Sequence, residues 1–69
     1  MVEVFKTNVA AISEADSIVL LLQECFPGSR INFDLEDCDN VLRIEARDIS
    51  PGYIETLLNN AGFECRELE

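Results

Sequence analysis

Two short segments with alternating apolar residues, joined by turn-forming residues, constrain the fold of this chain most strongly. Ile31 and Phe33 alternate with polar residues in the first segment, and Leu42 and Ile44 do so in the second. Alternation with a period of two is typical of strands that have one buried and one solvent-facing side. Because the sequence EDCDN between them is rich in turn residues, the stretch 30–46 predicts an antiparallel β-hairpin.

An amphipathic helix is predicted on each side of this hairpin. The first begins at Ser13, whose hydroxyl oxygen is placed to accept an N–H of the first turn, and it ends before Pro27. The second begins at Ser50, has Pro51 in its first turn and ends at Gly62. In both, apolar residues recur three or four positions apart and form one stripe. The stripes are Ala15, Ile18, Val19, Leu22, Cys25 and Phe26 in the first helix, and Ile54, Leu57, Leu58 and Ala61 in the second.

The two ends of the chain complete the pattern. The segment VEVFKTNV is a β-rich strand that we predict to turn Phe5 inward and Val2 and Val4 outward, and a short last strand begins around Phe63 and Cys65. The order strand, helix, strand, strand, helix, strand predicts an α+β ferredoxin-like βαββαβ sandwich, with two helices on one face of an antiparallel sheet ordered four, one, three, two. The predicted core is Phe5, Ile18, Val19, Leu22, Phe26, Ile31, Phe33, Leu35, Leu42, Ile44, Ile54, Leu57, Leu58 and Phe63.

Length and charge limit the classes of function. At 69 residues we expect one domain, 1–69, without room for a large core. The net charge of −9 disfavours binding to nucleic acid and to anionic membranes, and it favours basic or neutral partners. Neither an apolar run of membrane-spanning length nor a basic leader is present, and the three cysteines show no C-x-x-C spacing. We therefore expect a soluble cytoplasmic protein.

The element order, together with FKTNV before the first loop and LLNNAGFE before the last strand, resembles the heavy-metal-associated domain family of copper chaperones and metal-pump domains. The resemblance covers essentially the whole chain. In that family, a C-x-x-C pair after the first strand binds a soft ion such as copper(I). The corresponding positions here are Ala11 and Glu14, and neither offers a thiolate. The resemblance therefore implies a degenerate member without the metal site and without a cofactor.

The remaining candidate ligands have simpler interpretations. Cys25 and Cys65 lie on predicted apolar faces and are expected to pack in the core, whereas the turn should expose Cys38. A group of four acidic residues in the turn suggests at most weak cation association, because the segment lacks the glycine and distal glutamate of an EF-hand. These acids are Asp34, Glu36, Asp37 and Asp39.

Catalysis is not predicted. The chain has no histidine with which a serine or cysteine could pair, and its first loop has no glycine to approach a phosphate. The outward sheet positions also lack the aromatic residues on which RNA-recognition modules stack bases.

We therefore expect a domain that acts through contacts with another protein or through weak self-association. The predicted surfaces are the open sheet face around Val2, Val4 and Val41 and the edge strand from Arg30 to Asp34. Two alternatives stay open. One is a ligand-sensing domain of the amino-acid-binding type, and the other is a metal-handling protein with displaced ligands.

Overall fold

A computed structural model describes residues 1–68, which form four strands and two helices in the predicted order. Their bounds are β1 Val2–Thr7, α1 Ile12–Cys25, β2 Arg30–Asp34, β3 Val41–Glu45, α2 Pro51–Asn60 and β4 Cys65–Glu67. The strands pair antiparallel in the order β2-β3-β1-β4, which confirms the predicted arrangement. The fold is the α+β ferredoxin-like sandwich, and β2 and β4 are the two edges of its sheet.

The core lies between the sheet and the two helices. Phe5 is fully buried, which confirms that β1 turns this side chain inward. The buried apolar residues are Phe5, Val9, Ala15, Ile18, Leu22, Ile31, Leu42, Ile44, Ile49, Ile54, Leu58 and Cys65. Several predicted core residues are only partly buried and pack against the rim of this cluster: Val19, Phe26, Phe33, Leu35, Leu57 and Phe63.

Two buried residues in the loops were absent from the predicted core. Val9 lies in the loop from β1 to α1, and Ile49 lies in the corresponding loop from β3 to α2. Ile49 precedes the N-cap Ser50, and the buried Ile54 is the fourth helical residue after it. These are the two positions of a hydrophobic staple, which sets the angle at which a chain enters a helix. Loop residues of this kind have no periodicity that would mark them as core.

The start of α1 differs from the prediction. Ala11, not Ser13, is the N-cap residue, and the helix begins at Ile12. The Glu14 carboxylate oxygen Oε1 accepts the backbone N–H of Ala11 at 3.2 Å, which is one half of a capping box. Alanine has no side-chain oxygen to complete the other half. The acidic third helical residue therefore stabilises this start of the helix.

The structure also corrects the prediction for Cys25, which is exposed rather than in the core. The buried stripe of α1 is Ala15, Ile18 and Leu22, and the partly buried Phe26 continues it at the C-cap. Cys25 is the last residue of the helix and lies beside this stripe. Cys65 is buried and Cys38 is exposed, so both of these predictions are confirmed.

The end of α2 is as predicted. Ala61 is the C-cap, and Gly62 follows with φ of +95°, in the left-handed region that favours glycine. The N–H of Gly62 donates to the carbonyl of Asn59, and the N–H of Phe63 donates to that of Leu58. This is a Schellman motif, and it directs the chain from the helix into β4.

Candidate functional site

The loop from β1 to α1, where the resemblance locates a metal site, is held by the chain's own hydrogen bonds. Ala11 is the N-cap of α1 and Glu14 lies in its first turn; both are exposed, and the Glu14 carboxylate is engaged in capping. Next to them, Asn8 makes a reciprocal pair with Glu64: its Oδ1 accepts the Glu64 N–H at 2.8 Å, and its own N–H donates to the Glu64 carbonyl at 3.3 Å. The loop therefore has a structural role as a connection between β1, α1 and β4.

Thr7 fixes the other side of this loop. Its hydroxyl group donates to the carbonyl of Asn40 at 2.6 Å and accepts the N–H of Val9 at 3.2 Å. Its backbone N–H donates to the carbonyl of Asp39 at 3.0 Å. The end of β1 is thereby joined to the turn between β2 and β3.

Cys65 is one of the residues that line a surface depression of about 520 Å³, together with Lys6, Asn59 and Arg66. Burial, with a smaller contribution from the charge of Glu55, raises the pKa of the Cys65 thiol to about 12. A thiol with this pKa is protonated at neutral pH, and only the thiolate is a good nucleophile and soft-metal ligand. The environment of Cys65 suits packing rather than either kind of chemistry.

The acidic turn between β2 and β3 uses its carboxylates locally. Asp34 Oδ1 accepts the N–H groups of Glu36 and Asp37, and Asp37 Oδ1 accepts the N–H of Asp39. Asp39 forms an ion pair with Lys6, with 3.5 Å between Oδ1 and Nζ. Ligand atoms of Asp37, Cys38 and Asp39 lie within 4.8 Å of one another. Because these carboxylates stabilise the turn itself, their proximity does not require an ion.

The side of the sheet away from the helices is the open face. Its side chains alternate along each strand with the buried ones, and the antiparallel register aligns them between strands. The open-face residues are Val2, Val4 and Lys6 of β1, Arg30, Asn32 and Asp34 of β2, Val41, Arg43 and Glu45 of β3, and Arg66 of β4.

The three valines of the predicted surface share this open face but do not form one patch. Val2 lies opposite Glu45, Val4 lies opposite Arg43, and Val41 lies opposite Asp34. Val2 is 44% exposed, whereas Val4 and Val41 are partly buried by neighbouring side chains. Val41 lies only diagonally from Val4, so charged residues interrupt the apolar surface.

Leu68 extends the apolar surface from the other side. Its N–H donates to the carbonyl of Val4 at 2.8 Å, continuing the β1–β4 register past the end of β4. Alternation from Arg66 places Leu68 on the open face beside Val4, and it is 38% exposed. The sequence analysis missed Leu68, because a single leucine between two glutamates near the end of the chain has no periodicity.

The distribution of charge is the second feature that the sequence analysis missed. Four of the five basic residues, all except Arg47, lie on the open face. Four acids accompany them: Asp34, Glu45, Glu64, which precedes β4, and Asp39, which forms an ion pair with Lys6. The rest of the sequence holds ten acids and one base. The open face is therefore close to neutral, whereas the rest of the molecule is strongly acidic.

Comparisons with family models, with curated proteins and with solved structures find no match to this chain. The resemblance to heavy-metal-associated domains thus stays a prediction. Neither α1 nor α2 has the length and apolar character needed to cross a bilayer, in the part of the chain that the structure describes.

The two edges of the sheet differ in how they are covered. At β4, the Glu55 carboxylate oxygen Oε2 accepts the backbone N–H of Glu67 at 2.9 Å, so a side chain of α2 occupies this edge. At β2, the backbone from Arg30 to Phe33 makes no hydrogen bond outside its ladder with β3 among residues 1–68. The β2 edge is therefore the accessible one.

Proposed function

We propose that this chain is a non-catalytic protein-binding domain that contacts its partner through the open face. The observation that supports this proposal best is the segregation of charge. Four basic residues and the neighbouring Val4 and Leu68 lie together on the one face of the sheet that the helices leave open.

Charge and apolar area together indicate the chemistry of the partner. The Arg30, Arg43 and Arg66 side chains have no carboxylate within 4.0 Å among the described residues, so their charge is available to acidic groups. Arginine is enriched at protein interfaces because its planar guanidinium donates to carboxylates in two directions and stacks on apolar groups. The open face therefore suits a protein surface with acidic groups around an apolar centre.

The alternatives have less support in the geometry. The first loop lacks a glycine, and the backbone N–H groups of Thr7 and Asn8 donate to the carbonyls of Asp39 and Glu64. These N–H groups are therefore not free to bind a ligand, as a ligand-sensing loop requires. For a displaced metal site, the Cys65 thiol is held protonated by burial, and Cys25 is exposed at the end of α1. We expect neither a resident metal nor a cofactor.

Photo-crosslinking from the two faces of the protein tests the proposal. A photoreactive side chain is introduced at Val2 on the open face or, as the matched control, at Leu20 on the outer side of α1, which is 63% exposed. In cells that express the chain, we expect Val2 to give a discrete crosslinked protein and Leu20 to give none. Equal crosslinking from both positions would contradict an interface on the open face.

A second substitution separates binding from non-specific capture. Val4→Asp is introduced into the protein that carries the photoreactive side chain at Val2. It should abolish the crosslinked product, because it places a charge in the centre of the proposed contact. The fully buried Phe5 should keep β1 in place. Urea unfolding should stay cooperative for this variant. Persistence of the product in a folded Val4→Asp protein would rule out the proposed contact.

A further inference from the structure

We propose that two copies of this chain pair through the β2 edge, antiparallel and with Asn32 on the twofold axis, to form one continuous eight-stranded sheet. This inference extends the proposed function to a second surface and does not require the open face to be occupied. Backbone direction, charge pattern and the contrast between the two edges support it.

The direction of the backbone groups follows from the β1–β3 ladder. The N-terminal amino group of Met1 donates to the carbonyl of Ala46 at 2.9 Å, and the N–H of Ala46 donates back to the Met1 carbonyl at 3.0 Å. In an antiparallel ladder such hydrogen-bonded pairs alternate with pairs that share no bond. Along the register, Ala46, Ile44 and Leu42 therefore direct their backbone groups towards β1.

The intervening residues of β3 consequently direct their backbone groups towards β2. Val41, Arg43 and Glu45 lie opposite Asp34, Asn32 and Arg30, respectively. These three β2 residues therefore use their N–H and C=O groups in the ladder with β3. The backbone groups of the two residues between them point outward at the free edge. The two residues are Ile31 and Phe33.

A second copy of β2 satisfies these outward groups in one particular register. With Asn32 opposite the same residue of the second copy, Ile31 lies opposite Phe33 of that copy, and the two exchange both hydrogen bonds. Shifting the register by one residue would place an outward-pointing residue opposite an inward-pointing one. The same arrangement places apolar Ile31 and Phe33 side by side on the helix side of the sheet.

The charges on β2 are self-complementary in this register. Arg30 lies opposite Asp34 of the second copy, and Asp34 lies opposite its Arg30, so the twofold axis creates two pairs of opposite charge on the open face. Within one copy, no carboxylate among residues 1–68 lies within 4.0 Å of the Arg30 guanidinium. Each copy has a net charge of −9, so two copies repel each other overall. The two Arg30–Asp34 pairs are required to offset this repulsion.

The β4 edge does not offer the same opportunity. Its outward N–H at Glu67 already donates to the Glu55 carboxylate, and a strand placed there would have to displace that side chain. Because β4 is covered and β2 is accessible, each copy has one edge at which another copy can pair. Pairing then stops at a dimer and does not continue into a filament.

Sedimentation equilibrium at about 0.15 M salt tests the dimer, because screening then limits long-range repulsion to about 8 Å. We expect the mass to rise from 7.8 kDa towards twice that value as the concentration approaches about 1 mM. Arg30→Glu should weaken association by about tenfold or more, since it creates two like-charge pairs. Arg47→Glu changes the net charge equally away from β2 and should have little effect. A mass of 7.8 kDa at every concentration would overturn the inference.

Mixing two variants tests the register. Arg30→Glu and Asp34→Lys should each remain monomeric alone, because both place like charges opposite each other. Mixed, they should form a heterodimer, since the introduced glutamate faces the introduced lysine while the native Asp34 faces the native Arg30. If both variants stay folded and the mixture stays monomeric, the proposed register is wrong.

Amide hydrogen exchange tests the location of the interface. Raising the protein concentration should slow exchange at Ile31 and Phe33 but leave Glu67, already bonded to Glu55, unchanged. A dimer without protection at Ile31 and Phe33 would show that another surface is used and would overturn the inference. Crosslinking from Val2 to another protein would still support the proposed function if dimerisation failed.

Discussion

The hydroxyl group of Thr7 donates a 2.6 Å hydrogen bond to the backbone carbonyl of Asn40, 33 positions later in the chain. Asn40 has φ of +45°, so the turn before β3 passes through the left-handed region at this contact. The same hydroxyl group accepts the N–H of Val9. One buried side chain thus connects the first loop to the central hairpin.

Thr7→Val should lower the free energy of unfolding by about 1–3 kcal/mol, because it keeps the shape but leaves buried backbone groups without a hydrogen-bond partner. Urea denaturation measures this loss. The matched control is Thr56→Val, where an exposed hydroxyl group donates to the Gly52 carbonyl on the surface of α2. The control should change stability by less than about 0.5 kcal/mol. Equal losses in both variants would contradict the role assigned to Thr7.

Leu42→Ala should be more destabilising than Phe33→Ala, although phenylalanine is the larger side chain. Leu42 is fully buried on the interior strand β3, and its truncation should cost about 2–5 kcal/mol. Phe33 is only partly buried on the edge strand, so we expect a smaller loss. Denaturation of both variants at low concentration, where self-association is minimal, decides the order. A larger loss for Phe33→Ala would show that the β2 edge belongs to the core.

The three thiols should differ in reactivity. At pH 8, iodoacetamide should alkylate the exposed Cys25 and Cys38 and spare the buried Cys65, which mass spectrometry of the peptides can resolve. In concentrated urea all three cysteines should react. Rapid alkylation of Cys65 in the native protein would contradict its place in the core.

The raised pKa of Cys65 also predicts a dependence of stability on pH. The thiol has a pKa of about 12 in the folded protein and 9.0 as a reference value. Below pH 9 both states hold the proton and this group has no pH effect. Above pH 9 the unfolded state releases its proton first, so the contribution of Cys65 is lost progressively as pH rises towards 12. Stability should therefore fall more steeply with pH in the native sequence than in Cys65→Ala. Parallel curves would contradict the raised pKa.

Ala11→Cys combined with Glu14→Cys should create copper(I) binding, because it restores the two thiols that the family resemblance implies at the start of α1. The native sequence should bind no soft ion stoichiometrically. Competition with a chromophoric chelator measures the affinity, in a background with Cys25→Ser and Cys38→Ser.

A control pair, Ser13→Cys with Asp16→Cys, has the same spacing within α1. We expect it to bind copper(I) more weakly, since Ser13 and Asp16 both have helical backbone, whereas Ala11 is the N-cap with extended backbone. Equal affinities would show that the loop contributes nothing beyond the spacing of two thiols.

Local sequence patterns determined the element order and the inward position of Phe5. Alternation in the hairpin and apolar spacing in the helices report which neighbouring residues share a side, and Gly62 ends α2 where a left-handed residue is needed. The same patterns placed Ser13 and Cys25 wrongly, because a cap and a helix end depend on single contacts. In the structure, the Glu14 carboxylate caps the helix at Ala11, and Phe26 packs against the core in place of Cys25.

The tertiary structure alone decided what the surfaces offer. Basic residues scattered from Lys6 to Arg66 gather on one face only when four strands pair in register, and Leu68 reaches Val4 only across the β1–β4 ladder. Glu55 of α2 accepts the edge N–H of Glu67 in β4, whereas no side chain of the neighbouring helix α1 bonds the β2 edge among residues 1–68. Local backbone geometry decides which neighbouring side chains share a face, so the sequence pattern reveals it. Which distant segments become neighbours depends on strand pairing and core packing, and local patterns do not encode these.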